Sequence, residues 1–153
     1  MSDRLNVYLR TDKVGLLWLD EERRFYFQYD SDWLASENVV PLSIRLPLQA
    51  AVFDDDRARP FFANLLPESE LRRMVARKLG LSEKNDFALL EAVGGECAGA
   101  VSLSTEETEP TGEGSYRALD EDALNSLIAE LPRRPMLAGE EGIRLSLAGA
   151  QNK

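Results

Sequence analysis

The sequence predicts an α+β fold, a small antiparallel β-sheet with helices packed on it. Two observations carry this. Three apolar runs stand close together near the start, around Leu5, Val7 and Leu9, from Val14 to Leu19, and at Phe25, Phe27 and Tyr29, each separated from the next by a few polar residues. The apolar spacing then becomes helical, at Leu71, Met74, Val75 and Leu79 and again at Phe87, Leu89, Leu90 and Val93.

Taken in order, residues 4–10 read as a strand with Leu5, Val7 and Leu9 on one face. Asp12-Lys13 makes a turn, and Val14 to Leu19 is a second strand with Gly15 at a bulge. Asp20 to Arg23 is a hairpin connection. Phe25 to Tyr29 is the third strand of a meander, with Phe25, Phe27 and Tyr29 facing the core. The stretch from Asp30 to Glu37 predicts one helical turn around Trp33 and Leu34, capped by Ser31 or Asp32. Leu42, Ile44 and Leu46 alternate as a further strand that Pro47 closes. Asp54-Asp55-Asp56 reads as a solvated turn, because it lacks the glycine and distal glutamate of a calcium loop.

Arg59 to Glu68 holds two aromatics and two leucines between two prolines, which predicts a short buried helix with Asn64 bonded to nearby backbone. A longer helix runs from Glu68 to Leu79, stopped by Gly80 at its C-terminal cap, with Lys78 in the last turn. Its Arg72, Arg73, Arg77 and Lys78 read as a solvated face. Ser82 or Asn85 caps the next helix, and Gly94-Gly95 ends it. Ala98 to Leu103 predicts a strand of small residues, central in the sheet or tight against a helix. Thr105 to Ser115 has no large apolar residue and is the clearest linker. Beyond it, Tyr116 to Leu119 extends as a strand. Asp120 caps a helix with Leu124, Leu127, Ile128 and Leu131 on one face. The predicted organisation is therefore a subdomain over 1–103, a linker over 104–115 and a second unit beginning at 116–153.

Composition limits the chemistry. Of 153 residues, 27 are acidic and 18 basic, for a net charge of −9, which argues against a broad nucleic-acid-binding face on this chain. There is no histidine and one cysteine, Cys97, so neither a Cys/His zinc site nor a Ser-His or Cys-His pair can be built. Cys97 reads as a small core residue. Carboxylate-bound Mg²⁺ is allowed, but no acidic cluster has a recognisable ligand spacing. The sequence has no apolar run near membrane-spanning length and no signal-peptide pattern at its start, and the expectation is a cytoplasmic protein.

The last stretch, Gly142 to Lys153, carries the most chemistry. Ile143, Leu145 and Leu147 alternate with Arg144 and Ser146 as a strand. Ala148-Gly149-Ala150 then allow backbone N–H groups to approach a phosphate, and Lys153 adds positive charge. A loop of this kind with no second strand to close it is expected to belong to a longer protein.

Three blocks occur in order: Arg59-Pro60-Phe61-Phe62-Ala63-Asn64-Leu65-Leu66-Pro67-Glu68, Gly94-Gly95-Glu96-Cys97-Ala98-Gly99-Ala100-Val101, and Leu145-Ser146-Leu147-Ala148-Gly149-Ala150-Gln151-Asn152-Lys153. Together they resemble the HipA family, the serine/threonine kinase toxins of bacterial HipBA toxin–antitoxin modules. The resemblance covers the whole chain. It implies a HipA N-terminal subdomain followed by the first strands of a kinase N-lobe. It also implies that the catalytic and Mg²⁺-binding aspartates belong to a C-terminal lobe that is not in these 153 residues. By resemblance, Ala148, Gly149, Ala150, Gln151, Asn152 and Lys153 match the phosphate-binding loop, and Ser146 matches the autophosphorylated regulatory serine. ATP and Mg²⁺ are implied for the longer parent and none is expected on this fragment. Implied partners are a HipB-like DNA-binding antitoxin, with DNA contacted only through it, and a protein substrate such as an aminoacyl-tRNA synthetase. No membrane is implied. The resemblance admits a second reading, a free-standing N-terminal module that binds and regulates a separate kinase core. An α+β interaction domain unconnected with kinases is the third.

Overall fold

The computed structural model describes residues 3–96, 100–105 and 118–130. Four strands form one sheet: β1 (Arg4–Leu9), β2 (Asp12–Leu19), β3 (Phe25–Tyr29) and β4 (Val101–Ser104). Their order is β3-β2-β1-β4 and all pairings are antiparallel, as the alternation predicts. Between β3 and β4 lie α1 (Ser31–Leu34), α2 (Asp55–Ala63), α3 (Ser69–Leu79) and α4 (Asp86–Val93), with a 3-10 turn at Gly94–Glu96. A fifth helix, α5 (Glu121–Glu130), follows β4 in the chain.

One sheet face makes the core. Leu5, Val7, Leu17, Phe25, Phe27, Tyr29 and Leu103 are buried there against Phe53, Phe62, Phe87 and Leu90. Phe27 sits at its centre, with ring centroids 4.9 Å from Tyr29, 5.3 Å from Phe62 and 6.1 Å from Phe53. Aromatic pairs at these spacings add to the stabilisation that burial provides. β1 is buried on its other face too, through Asn6 and Tyr8. The half-buried strand that alternation suggested is thus an interior one, flanked by β2 and β4.

The bulge falls where the glycine indicated. Val7 pairs with Gly15 but Tyr8 pairs with Lys13, so Val14 is the extra residue, and it turns into the core. Gly15 is needed for a different reason. A Cβ there would lie 2.3 Å from the Gln28 carbonyl oxygen and 2.8 Å from the Phe27 ring. The β1–β2 turn is Arg10-Thr11, two residues earlier than expected, with Arg10 at φ 59°. Asp12 and Lys13 already belong to the ladder.

The loops differ from the strand and cap pattern that their residues suggest. Residues 42–46 are not a strand. Ser43 and Leu46 form a tight turn closed by the Leu46 N–H to the Ser43 carbonyl, and Ile44 at its tip is 97% exposed. The Tyr29 hydroxyl fixes this turn. It donates to the Leu46 carbonyl at 2.6 Å and accepts from the Leu42 N–H at 2.9 Å. Leu42 and Leu46 therefore turn inward beside Tyr29 while Ile44 points to solvent, and no ladder forms. α1 begins after Asp30, not Ser31 or Asp32, and Asp30 makes no side-chain capping bond. Phe53 does extend the sheet, exchanging both backbone bonds with Phe27 at 2.8 and 3.1 Å.

The three acids 54–56 are not a solvated turn. They start α2, where carboxylates complement the helix dipole. The helix so begins four residues before Arg59 and continues through Pro60, whose ring and missing N–H are a local cost. Ala58 and Phe62, both fully buried, anchor it to the core. Asn64 is exposed at its C-terminal end, so it is not the buried amide the sequence suggested. α3 ends as expected. Gly80 adopts φ 67°, with the Gly80 N–H on the Arg77 carbonyl and the Leu81 N–H on the Ala76 carbonyl, a Schellman closure. Asn85, one of the two candidate caps, begins α4 by accepting from the Ala88 N–H.

β4 is an edge among the described strands, not a central one. Gly99, the glycine of that predicted strand, lies outside the described residues; Gly94 is close to β4, and a Cβ there would sit 2.8 Å from that of Leu103. Asp120 caps α5 as predicted, accepting from the Ala123 N–H at 2.8 Å. Its Leu124 and Ile128 are 44% and 53% exposed.

Candidate functional site

The residues assigned to phosphate binding by resemblance, Ala148, Gly149, Ala150, Gln151, Asn152 and Lys153, lie outside the described residues, as does Ser146. So do Cys97, the residues after Thr105 predicted as a linker and the stretch from Ile143 to Leu147 predicted as a strand. Among the described residues no group of three Asp, Glu, Cys or His is placed to hold a metal ion.

The described part of the chain instead concentrates its polar chemistry where the β2–β3 turn meets the start of α4. Arg59 is the hub. One helical turn after Asp55, its Nε donates to both Asp55 oxygens, at 2.9 and 3.1 Å. Its Nη1 reaches Asp86 Oδ2 at 3.3 Å and its Nη2 the Arg23 carbonyl at 2.8 Å. The guanidinium also lies over the Phe25 ring. Arg72, from α3, donates to Asp86 Oδ1 and to the Glu83 carbonyl. Asp86 thereby joins α2, α3 and α4. Asp55 accepts in addition from the Phe25 N–H at 2.6 Å, tying α2 to β3.

Electrostatics match this geometry. Partial burial by itself pushes the Asp55 carboxyl up. The Arg59 hydrogen bonds, the Phe25 N–H and the Arg59 charge outweigh it and hold the group below its ordinary value. Burial alone would lower Arg59, but Asp55 and Asp86 raise it, so the guanidinium stays charged.

A cleft of about 240 Å³ opens beside this cluster, with Arg23, Arg59, Lys84, Asn85 and Asp86 on its walls. Arg23 reaches it because the turn holds its backbone at φ 61°, with its N–H on the Asp20 carbonyl. Its Nη2 donates to Asn85 Oδ1 at 3.1 Å. This site is not evident from the sequence as a whole. The Asp55/Arg59 spacing of one helical turn was a visible signal, hidden by treating the acids as a loop. The pairing of Arg72 with Asp86 across a turn had no local signal. The arrangement contains no nucleophile paired with a base. Its chemistry is charge pairing and hydrogen bonding.

Comparison with known proteins places the chain. The model of the HipA N-terminal domain matches residues 5–104, from the first strand to the last described one. The chain belongs to the HipA N-terminal domain family. A putative kinase of Sinorhizobium fredii, Y4mE, is 45% identical over 97% of the chain, which covers 37% of that protein. The serine/threonine-protein kinase toxin HipA of Shewanella oneidensis is 31% identical, again over 97% of the chain and 34% of its own length. An uncharacterized protein of Haemophilus influenzae is 32% identical over 66% of the chain, and there the match spans 91% of the relative. The fold agrees with that of HipA in the solved Shewanella oneidensis complex of HipA, HipB and operator DNA. The TM-score is 0.69 and the identity 29%, covering 95% of this chain and 33% of that one. The chain thus spans about a third of the kinases it matches, and the four-stranded sheet with its helices is the HipA N-terminal subdomain.

Proposed function

We propose that the chain is the N-terminal portion of a HipA-type serine/threonine protein kinase toxin from a type II toxin–antitoxin module. The observation that carries this is the match over 97% of the chain to about a third of a kinase toxin and of a putative kinase, continuing beyond the N-terminal domain. On this reading residues 1–103 are the N-terminal subdomain, 104–115 a linker and 116–153 the start of the kinase N-lobe. Ala148 to Lys153 would cradle the phosphates of ATP, bound with Mg²⁺ in the longer protein, where it supplies the transferred phosphoryl group. Ser146 is the regulatory position. A phosphate there adds nearly two negative charges beside those of the nucleotide, and the repulsion opposes binding.

The proposed partners are a HipB-like antitoxin, supported by the complex in which HipA was solved, and through it DNA. The proposed substrate is a protein such as an aminoacyl-tRNA synthetase, and the outcome growth arrest in a bacterial cytoplasm. Residues 1–153 alone are proposed to be inactive. Incubating them with Mg²⁺ and radiolabelled ATP should label no protein, themselves included. Phosphate transfer by this chain would overturn the fragment reading.

One observation favours the second reading. The Haemophilus influenzae relative is matched over 91% of its length, so the subdomain occurs as nearly a whole protein. A free-standing module of this kind would bind and regulate a separate kinase core. Capture of such a core by immobilised residues 1–153, with a change in its phosphotransfer rate, supports that reading, and absence of capture opposes it.

A further inference from the structure

The cleft beside Arg59 carries an unmatched charge. Its walls contain three cations, Arg23, Arg59 and Lys84, and one carboxylate, Asp86, a local charge of +2 on a chain whose net charge is −9. The carboxylate is already engaged by Arg59 and Arg72. Arg59 is engaged by Asp55 as well. Among the described residues the other two cations are not paired with a carboxylate. Arg23 bonds the neutral amide of Asn85, and Lys84 has no carboxylate partner among the described residues. The acids of the neighbouring turn, Asp20 and Glu22, are held by Arg24 and are not on the cleft walls. Asn85 adds a donor. Its Oδ1 accepts from both Arg23 and Ala88, which leaves the Nδ2 hydrogens free to donate.

We propose that this cleft binds a phosphate dianion, either inorganic phosphate or the monoester group of a phosphorylated molecule. The local charge of +2 matches a dianion better than a single carboxylate. A guanidinium fork, an ammonium and an amide N–H₂ can each take a different phosphate oxygen. Arg23 is pre-positioned, since its backbone is pinned by the turn and by the Arg59 bond to its carbonyl. The mouth is open to solvent, so the site suits weak, salt-sensitive binding.

The test is NMR titration of the 153-residue chain with inorganic phosphate at low salt, followed through the Arg23, Lys84 and Asn85 signals. A serine phosphopeptide and its unphosphorylated form provide parallel arms. Saturable shifts that localise to these three residues and weaken with added NaCl are expected. Binding should drop about tenfold or more in R23A/K84A, given the strength of charge-assisted hydrogen bonds. Because Arg23 and Lys84 are exposed, the double variant should unfold at the same urea concentration as the parent. Tighter binding of the phosphopeptide than of free phosphate assigns the site to a phosphorylated polypeptide, and the reverse assigns it to a small molecule. Absence of saturation into tens of millimolar, or unchanged affinity in R23A/K84A, overturns the proposal.

Discussion

The guanidinium carbon of Arg59 lies 4.3 Å from the centroid of the Phe25 ring, while the same group bonds Asp55, Asp86 and the Arg23 carbonyl. One side chain thus connects β3, the β2–β3 turn, α2 and α4. Arg59→Ala removes all of these contacts and leaves Asp55 without its ion-pair partner. With hydrogen bonds to charged groups worth about 1.5–3 kcal/mol, a loss of about 2–3 kcal/mol is expected in urea denaturation. Arg59→Lys should fall between the two, since it keeps the charge but not the planar fork.

Acid should destabilise the domain through Asp55. Its folded pKa is depressed, because the Arg59 and Phe25 contacts outweigh the upward push of burial. Such a group contributes stability that is complete above the unfolded value, about 3.9, and is lost as pH falls through the folded value. Denaturation midpoints measured from pH 6 down should therefore decline mainly below about pH 4. Asp55→Asn should be less stable at neutral pH and show a shallower decline.

Gly15 and Gly80 separate two reasons for glycine. At Gly15 an added methyl meets the Gln28 carbonyl and the Phe27 ring, so Gly15→Ala should cost about 1–3 kcal/mol through overpacking and displace β3 from β2. Amide shifts in both strands would register the displacement.

At Gly80 an added Cβ would meet nothing within 4 Å, and the backbone angle alone matters. Gly80→Ala should cost about 1–2 kcal/mol, with shifts confined to the end of α3. A thermal melt of the two variants side by side tests the contrast.

Tyr29→Phe keeps the ring in the core but strands the Leu46 carbonyl and the Leu42 N–H. The expected loss is about 1–3 kcal/mol, with faster amide exchange at Leu42. Burial raises the Tyr29 pKa, with the Leu42 bond opposing it, so its phenol should ionise later than an exposed tyrosine in an ultraviolet titration.

Much of the fold was legible because period and burial agree there. Phe25, Phe27 and Tyr29 alternate and are buried, and Gly80 and Asn85 end and begin helices as their chemistry suggests. The reading failed where a long-range contact overrode a local pattern. Leu42, Ile44 and Leu46 look like a strand until Tyr29 folds them into a turn, and Asp55 looks solvated until Arg59 and the Phe25 N–H claim it. The cleft was invisible for the same reason, since Arg23, Arg59 and Lys84 come from three separate segments. Ala148 to Lys153, matched to a phosphate-binding loop by resemblance alone, lie outside the described residues.

The placement of β4 beside β1 has a consequence for synthesis on the ribosome. Among the described strands the earliest, β1, is completed by the latest, Val101–Ser104, with α1 to α4 emerging in between. Until then Asn6 to Leu9 present an unpaired hydrogen-bonding edge while the rest of the core can already gather on β2 and β3. The β1 edge can therefore pair natively only after residue 104 has been made, so β1–β4 pairing is a late event in synthesis.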